Sequence, residues 1–136
     1  MSLAYLLDTN ILIALLKGRG GPRAAERFQA AERRMATSCV TVMELEYGLA
    51  QPGSTTRHRQ AVQKLLSLVE ILPWDRRAAE HAGRIRAALK AQGCPIGPYD
   101  ALIAGHARSA GLTVVTNNVQ EFSRVPGIVV EDWLDD

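Results

Sequence analysis

The sequence predicts an α/β fold, with a parallel sheet covered by helices on both faces. Short apolar runs that read as buried strands alternate with longer segments of helical periodicity. Two polar clusters, Asp8-Thr9-Asn10 and Thr116-Asn117-Asn118, each follow such a run, where an open parallel sheet opens its crevice. At 136 residues the chain, 1–136, is read as a single domain with a substantial core.

The first strand is Ala4–Leu7. Asp8, Thr9 and Asn10 carry side chains suited to capping, and an apolar helix follows over Ile11–Leu16. Gly18, Gly20 and Gly21 break it, and Pro22 suits the first turn of a second helix reaching about Arg34. Met35–Ser38 reads as a second strand. Thr41-Val42-Met43-Glu44 has the form of a capping box opening a helix with Leu45 and Leu49 on one face. Pro52-Gly53 ends that helix, and Thr55–Leu68 is amphipathic. Glu70–Leu72 is a weak strand stopped by Pro73. Asp75 caps a helix ending near Gly93, and Gly97-Pro98 punctuates before Tyr99-Asp100 opens the next, with Gly111 as its stop. Leu112–Val115 is the clearest strand, Glu121-Phe122 lies on a short helical turn, and Ile128–Val130 is a final strand.

Composition narrows the function. No apolar run approaches the roughly 20 residues of a membrane span. The stretch Met1–Leu7 lacks the basic and apolar pattern of a signal peptide. Cys39 and Cys94 have no metal-ligand spacing and are too few for a disulfide scaffold, so a reducing, cytoplasmic setting is expected. Net charge is +2, with basic residues dense over 19–34, 57–64 and 76–90, and Glu131, Asp132, Asp135 and Asp136 acidic at the end. Basic faces beside a private acid cluster suit a protein holding a polyanion and a metal together.

Four acids, Asp8, Glu44, Asp100 and Glu121, stand at strand ends or helix openings. Each has a plain alternative: Asp8 and Asp100 as helix caps, Glu44 as the capping-box partner of Thr41, Glu121 as a surface acid. Converging in one crevice, they would repel unless a cation lay between them. Oxygen-only ligation suits Mg²⁺ or Mn²⁺ over zinc, and His58, His81 and His106 lack zinc-site spacing. Asp-Thr-Asn occurs once and without Gly, unlike an aspartic protease. Asn10 stands where a haloacid-dehalogenase phosphatase needs a second Asp, and there is no Walker loop.

The segments Tyr5-Leu6-Leu7-Asp8-Thr9-Asn10-Ile11, Ser38-x-x-Thr41-x-x-Glu44-Leu45-x-x-Gly48, Gly97-Pro98-Tyr99-Asp100 through Arg108, and Val115-Thr116-Asn117-Asn118-x-x-Glu121-Phe122 together resemble a PIN-domain ribonuclease. More narrowly they resemble the VapC toxins of type II toxin–antitoxin pairs, and the wording around Asp100 and Thr116 resembles the subgroup that cuts initiator tRNA in its anticodon loop. The resemblance implies a three-layer α/β/α sandwich with a mainly parallel sheet, dependence on Mg²⁺ or Mn²⁺, a homodimer, and inhibition by a VapB-type antitoxin. It implies that Asp8, Glu44 and Asp100 are metal-binding acids. Many family members place an Asp where this chain has Asn118, which leaves Glu121 as the remaining acid. In this reading Asp8 and Asp100 hold the metal directly, and Glu44 and Glu121 complete the site. Thr9, Asn10, Thr116, Asn118 and Arg86 orient ligands or meet the RNA. Arg84 is a further phosphate contact, Tyr99 and Trp74 are stacking candidates, and the helices 11–16 and 45–49 are candidates for a dimer or antitoxin groove. A PIN nuclease of RNA processing and a non-catalytic binding domain are the alternatives.

Overall fold

The computed structural model describes residues 2–134; Met1 and the acidic residues Asp135 and Asp136 lie outside the described residues. Five parallel strands, β1 (Tyr5–Leu7), β2 (Met35–Ser38), β3 (Glu70–Leu72), β4 (Thr113–Val115) and β5 (Val130–Glu131), form one sheet in the order β3-β2-β1-β4-β5. Among the described residues seven helices connect them: α1 (Thr9–Leu16), α2 (Gly21–Ala30), α3 (Cys39–Leu49), α4 (Thr56–Leu66), α5 (Arg76–Ala91), α6 (Pro98–Ala110) and α7 (Val119–Phe122).

Strand alternation splits the interior into two cores. Leu6 of β1, Ala36 of β2 and Val114 of β4 face α5, α6 and α7 through Ile85, Leu89, Ile103, Ala107 and Phe122. Their neighbours Leu7, Met35 and Val115 face the other way, against Ile11 and Leu12 of α1, Leu45 and Leu49 of α3, and Val62 of α4. Helices thus cover both faces, the expected three-layer α/β/α sandwich. From β1 the chain winds outward through β2 to β3, then returns to β4 on the other side. The direction of winding reverses between β1 and β4, where open α/β sheets part to form a crevice.

Four local expectations are corrected. Helix α2 stops at Ala30 rather than near Arg34: a turn with Arg33 in the left-handed region follows, and the Arg34 carbonyl accepts from the backbone N–H groups of Ala4 and Tyr5. Helix α4 ends at Leu66, short of Leu68. Strand β5 is Val130–Glu131 rather than 128–130, because Val130 and Glu131 align with Val114 and Val115. Finally, Thr41 does not cap α3. Ser38 does, its hydroxyl accepting from Val40 N at 3.1 Å, and the helix begins as soon as β2 ends. Thr41 is buried within the first turn of α3, past the cap, so Glu44 is no capping-box partner. Leu45, Leu49, Ile11 and Leu12 are core, which leaves the buried faces of the helices at 11–16 and 45–49 unavailable as a partner groove.

Candidate active site

Asp8 ends β1 and caps α1. Its Oδ1 accepts from Ile11 N at 2.8 Å and its Oδ2 from the Thr116 hydroxyl at 2.6 Å. Thr116 ends β4, so this bond spans the point where the winding reverses. Thr116 Oγ1 also accepts from Asn118 N at 2.9 Å, which turns the chain into α7. On the other side of Asp8, Thr9 donates to Glu44 Oε1 at 2.6 Å and lies 3.1 Å from Thr41 Oγ1. A hydroxyl chain therefore ties α1 to the second turn of α3.

Asp100 sits in the first turn of α6, a helix that Gly97 and Pro98 open without a side-chain cap. The Asn118 amide nitrogen donates to Asp100 Oδ2 at 3.3 Å and also to Glu121 Oε2. Glu121 accepts in addition from Gly97 N at 3.0 Å. Glu121, the least secure acid in the sequence, thus stands beside Asp100 with Asn118 bridging the two.

The electrostatics are those of crowded acids. Asp8 is 1% exposed, and burial pushes its carboxyl up to about 6 against the pull of the Thr116 and Ile11 hydrogen bonds. Burial, then the adjoining Glu121 and the charges of Asp8 and Glu44, push Asp100 up to about 7. Glu121 moves the opposite way, held low first by its hydrogen bond with Asp100. Among the described residues the ion pairs are Arg59–Glu46 and Arg76–Glu80, so none of the four acids has a salt-bridge partner there.

The donor set of carboxylates, hydroxyls and an amide, with no thiolate and no imidazole, fits a hard divalent cation. Burial first, and then neighbouring acids with no basic partner to offset them, keep Asp8 and Asp100 harder to ionise than free carboxyls. Among the described residues no three Asp, Glu, His or Cys side chains are already drawn together as a closed ligand shell. Glu44 is turned onto Thr9, and Glu121 onto Gly97 and Asn118.

The remaining candidates are placed differently. Asn10 is exposed in the first turn of α1. Arg86 is on the exposed face of α5, makes no contact with the four acids, and lines a cavity of about 640 Å³ that also includes Pro98 and Ala101 beside Asp100. Trp74 packs into the core with its indole N–H on the Leu102 carbonyl at 3.0 Å, which removes it as a stacking surface; Tyr99, next to Asp100, is 47% exposed. His106 is buried against Ser38 and His81 is bonded to Arg108, while His58 is exposed on α4. Two participants escape sequence reasoning. Thr41 has the pattern of a cap, although its hydroxyl joins Thr9 and Glu44. Gly97 has the pattern of punctuation, although its N–H holds Glu121; the unusual uncapped Gly-Pro opening is the available signal.

A PIN-domain family model matches residues 5–128. The chain is 47% identical to the tRNA(fMet)-specific endonuclease VapC of Salmonella typhimurium (strain LT2) over 131 residues, covering 96% of this chain and 98% of that protein. It is 40% identical to ribonuclease VapC2 of Haemophilus influenzae (strain Rd), covering 97% and 99%. Among solved structures, the DNA-bound VapBC complex of Salmonella typhimurium superposes with a TM-score of 0.91 at 46% identity, covering 96% of this chain and 98% of that one. PIN-domain nucleases are generally dependent on divalent metal.

Proposed function

The chain belongs to the PIN-domain family, and within it to the VapC proteins; from that premise we propose that it is the toxin of a type II toxin–antitoxin pair, a Mg²⁺-dependent endoribonuclease that hydrolyses RNA phosphodiester bonds. One observation carries the reading. Asp8 and Asp100, with Glu44 and Glu121 beside them, crowd the crevice between β1 and β4 with no basic partner among the described residues.

In this scheme Asp8 and Asp100 would hold Mg²⁺, for which Mn²⁺ is the alternative ion, and Glu44 and Glu121 would complete the shell. When bound, a divalent cation supplies acidified water and offsets negative charge on the phosphate. Thr116 and the Ile11 N–H fix the orientation of Asp8, one on each carboxylate oxygen. Thr9 sets the rotamer of Glu44. Asn118 bridges Asp100 and Glu121, and the raised carboxyl of Asp100 beside the lowered one of Glu121 favours a proton on Asp100 while the pair is without a cation. Asn10, exposed in the first turn of α1 two residues after Asp8, would meet the phosphate.

The substrate follows from the relatives: RNA, with initiator tRNA as first candidate, given the name of the Salmonella protein. The partners are a VapB-type antitoxin and a second copy of the chain, in the cytoplasm. No described helix is long and apolar enough to cross a membrane. The test is cleavage of tRNA with Mg²⁺ and with EDTA. The expected result is cleavage that EDTA abolishes and that Asp100→Asn lacks even at saturating Mg²⁺; full activity of Asp100→Asn sinks the scheme.

A further inference from the structure

The cavity of about 640 Å³ beside α5 is not lined by any of the four acids, yet it shares a wall with them. That wall is the segment 95–101. Ile96, Pro98 and Ala101 face the cavity, while Gly97 faces the acids: its N–H bonds Glu121, and a Cβ there would lie 3.5 Å from Asp100 Oδ2. The opposite wall is α5. Arg86, Ala87 and Lys90 share one face of that helix at spacings of three and four residues. Neither cation is ion-paired among the described residues.

Resting on the endoribonuclease reading above, we propose that this cavity is the subsite for one unpaired nucleobase of the RNA and its phosphate, next to the bond that is cut. The chemistry matches the occupant. Ala87, Ile96, Pro98 and Ala101 give a small, apolar floor of the kind that accepts the face of a base. Arg86 supplies a planar guanidinium able to stack on the base or grip a phosphate, and Lys90 a second positive charge. RNA is read chiefly through unpaired bases splayed out of a loop, whose phosphates need cationic partners. One wall's thickness separates the cavity from Asp100, so an RNA threading past the acids would place a neighbouring nucleotide here.

The experiment uses a tRNA anticodon stem-loop, fluorescently labelled, in EDTA so that binding is read without cleavage. Gly83 lines the cavity, and a Cβ at that position meets nothing within 4 Å, so Gly83→Leu fills the space without disturbing α5. Its Kd is expected to rise about tenfold, as for one base that no longer stacks. Arg86→Ala with Lys90→Ala is expected to shallow the dependence of log Kd on log salt by about 0.7 for each phosphate that is no longer neutralised. The same stem-loop carrying 4-thiouridine at unpaired positions is expected to photo-crosslink within residues 83–101. Wild-type Kd and salt slope in both variants, each shown folded by its melting curve, would overturn the subsite. So would variants that keep RNA affinity and lose antitoxin binding, which would assign the cavity to a protein partner. A wild-type chain that cuts no RNA overturns the endoribonuclease reading itself; cleavage with unaltered variants overturns the subsite alone.

Discussion

The hydroxyl of Thr116 donates to Oδ2 of Asp8 at 2.6 Å, joining the ends of two adjacent parallel strands that are 108 residues apart in sequence. This bond occupies one oxygen of a carboxylate that is almost wholly buried, while Ile11 N occupies the other. Asp8 is therefore oriented before any cation arrives.

Thr116→Val keeps the shape and removes the donor. The folded state loses a hydrogen bond to a buried carboxylate, a cost of about 1–3 kcal/mol. In the proposed scheme the larger effect is on the metal: losing a partner that orients a ligand typically weakens affinity 10–100-fold. The expected outcome is a rise of that order in the Mg²⁺ concentration giving half-maximal cleavage. A lowered melting temperature with an unchanged Mg²⁺ requirement would confine Thr116 to a structural role.

The crowded acids also set how stability depends on pH. Asp8 is raised from 3.8 to about 6 and Asp100 from 3.8 to about 7, so the folded chain keeps protons that the unfolded chain has released between about pH 4 and 7. Raised acids destabilise the fold once they must ionise: the penalty is absent below the unfolded value and complete above the folded one. For Asp8 alone it is on the order of 3 kcal/mol. In EDTA the melting temperature is expected to fall from pH 5 to pH 8. Mg²⁺ is expected to raise it most at pH 8, where both acids are ionised and free of protons. A metal-free melting temperature that climbs over that range contradicts the assignment.

Helix packing beneath the site gives a stability test. A Cβ at Gly105 would come within 2.6 Å of Ala82 N and 2.7 Å of Ala82 Cα, backbone atoms that cannot swing aside. Gly105→Ala therefore forces α6 from α5, at about 1–3 kcal/mol for overpacking. Because α6 also carries Asp100, cleavage is expected to drop along with the melting temperature. Gly48→Ala, where a Cβ meets nothing within 4 Å, is the comparison. Gly48 lies in the last turn of α3, so that change works in the other direction by at most roughly the 0.5–1 kcal/mol of a helix interior.

These relationships differ in how far the sequence shows them. The strands at 5–7, 35–38 and 113–115, the Asp75 cap and the Gly111 stop rest on local signals, and the reversal point follows once the strands are ordered. The start of α3 is ambiguous in sequence because Ser38 and Thr41 both offer a capping hydroxyl, and only the end of β2 decides between them. That choice changes the meaning of Glu44, from cap partner to crevice acid. The pairing of Glu121 with Asp100 is not legible at all. It depends on α7 folding back beside the opening of α6, a contact between residues 21 apart that no periodicity encodes. Arg86 is visible in the sequence as a charge, but the cavity it lines needs the 95–101 segment opposite α5.

Asn118 offers the sharpest probe of the acid cluster. Its amide nitrogen donates to both Asp100 and Glu121, so the two carboxylates are held together by a neutral group. Asn118→Asp replaces those donors with a further acceptor and adds a negative charge. In EDTA at pH 8 the variant is expected to unfold at a lower temperature, by the equivalent of about 1–3 kcal/mol for the unsatisfied acids. At pH 5, where Asp100 is protonated and can itself donate, the loss is expected to be smaller. Mg²⁺ is expected to recover more stability in the variant than in the wild type, because an added carboxylate oxygen supplies a ligand where the amide supplied none. Equal melting temperatures for variant and wild type in EDTA at pH 8 would mean that the amide does not hold the acids together, and the role of Glu121 as partner to Asp100 would fall with it.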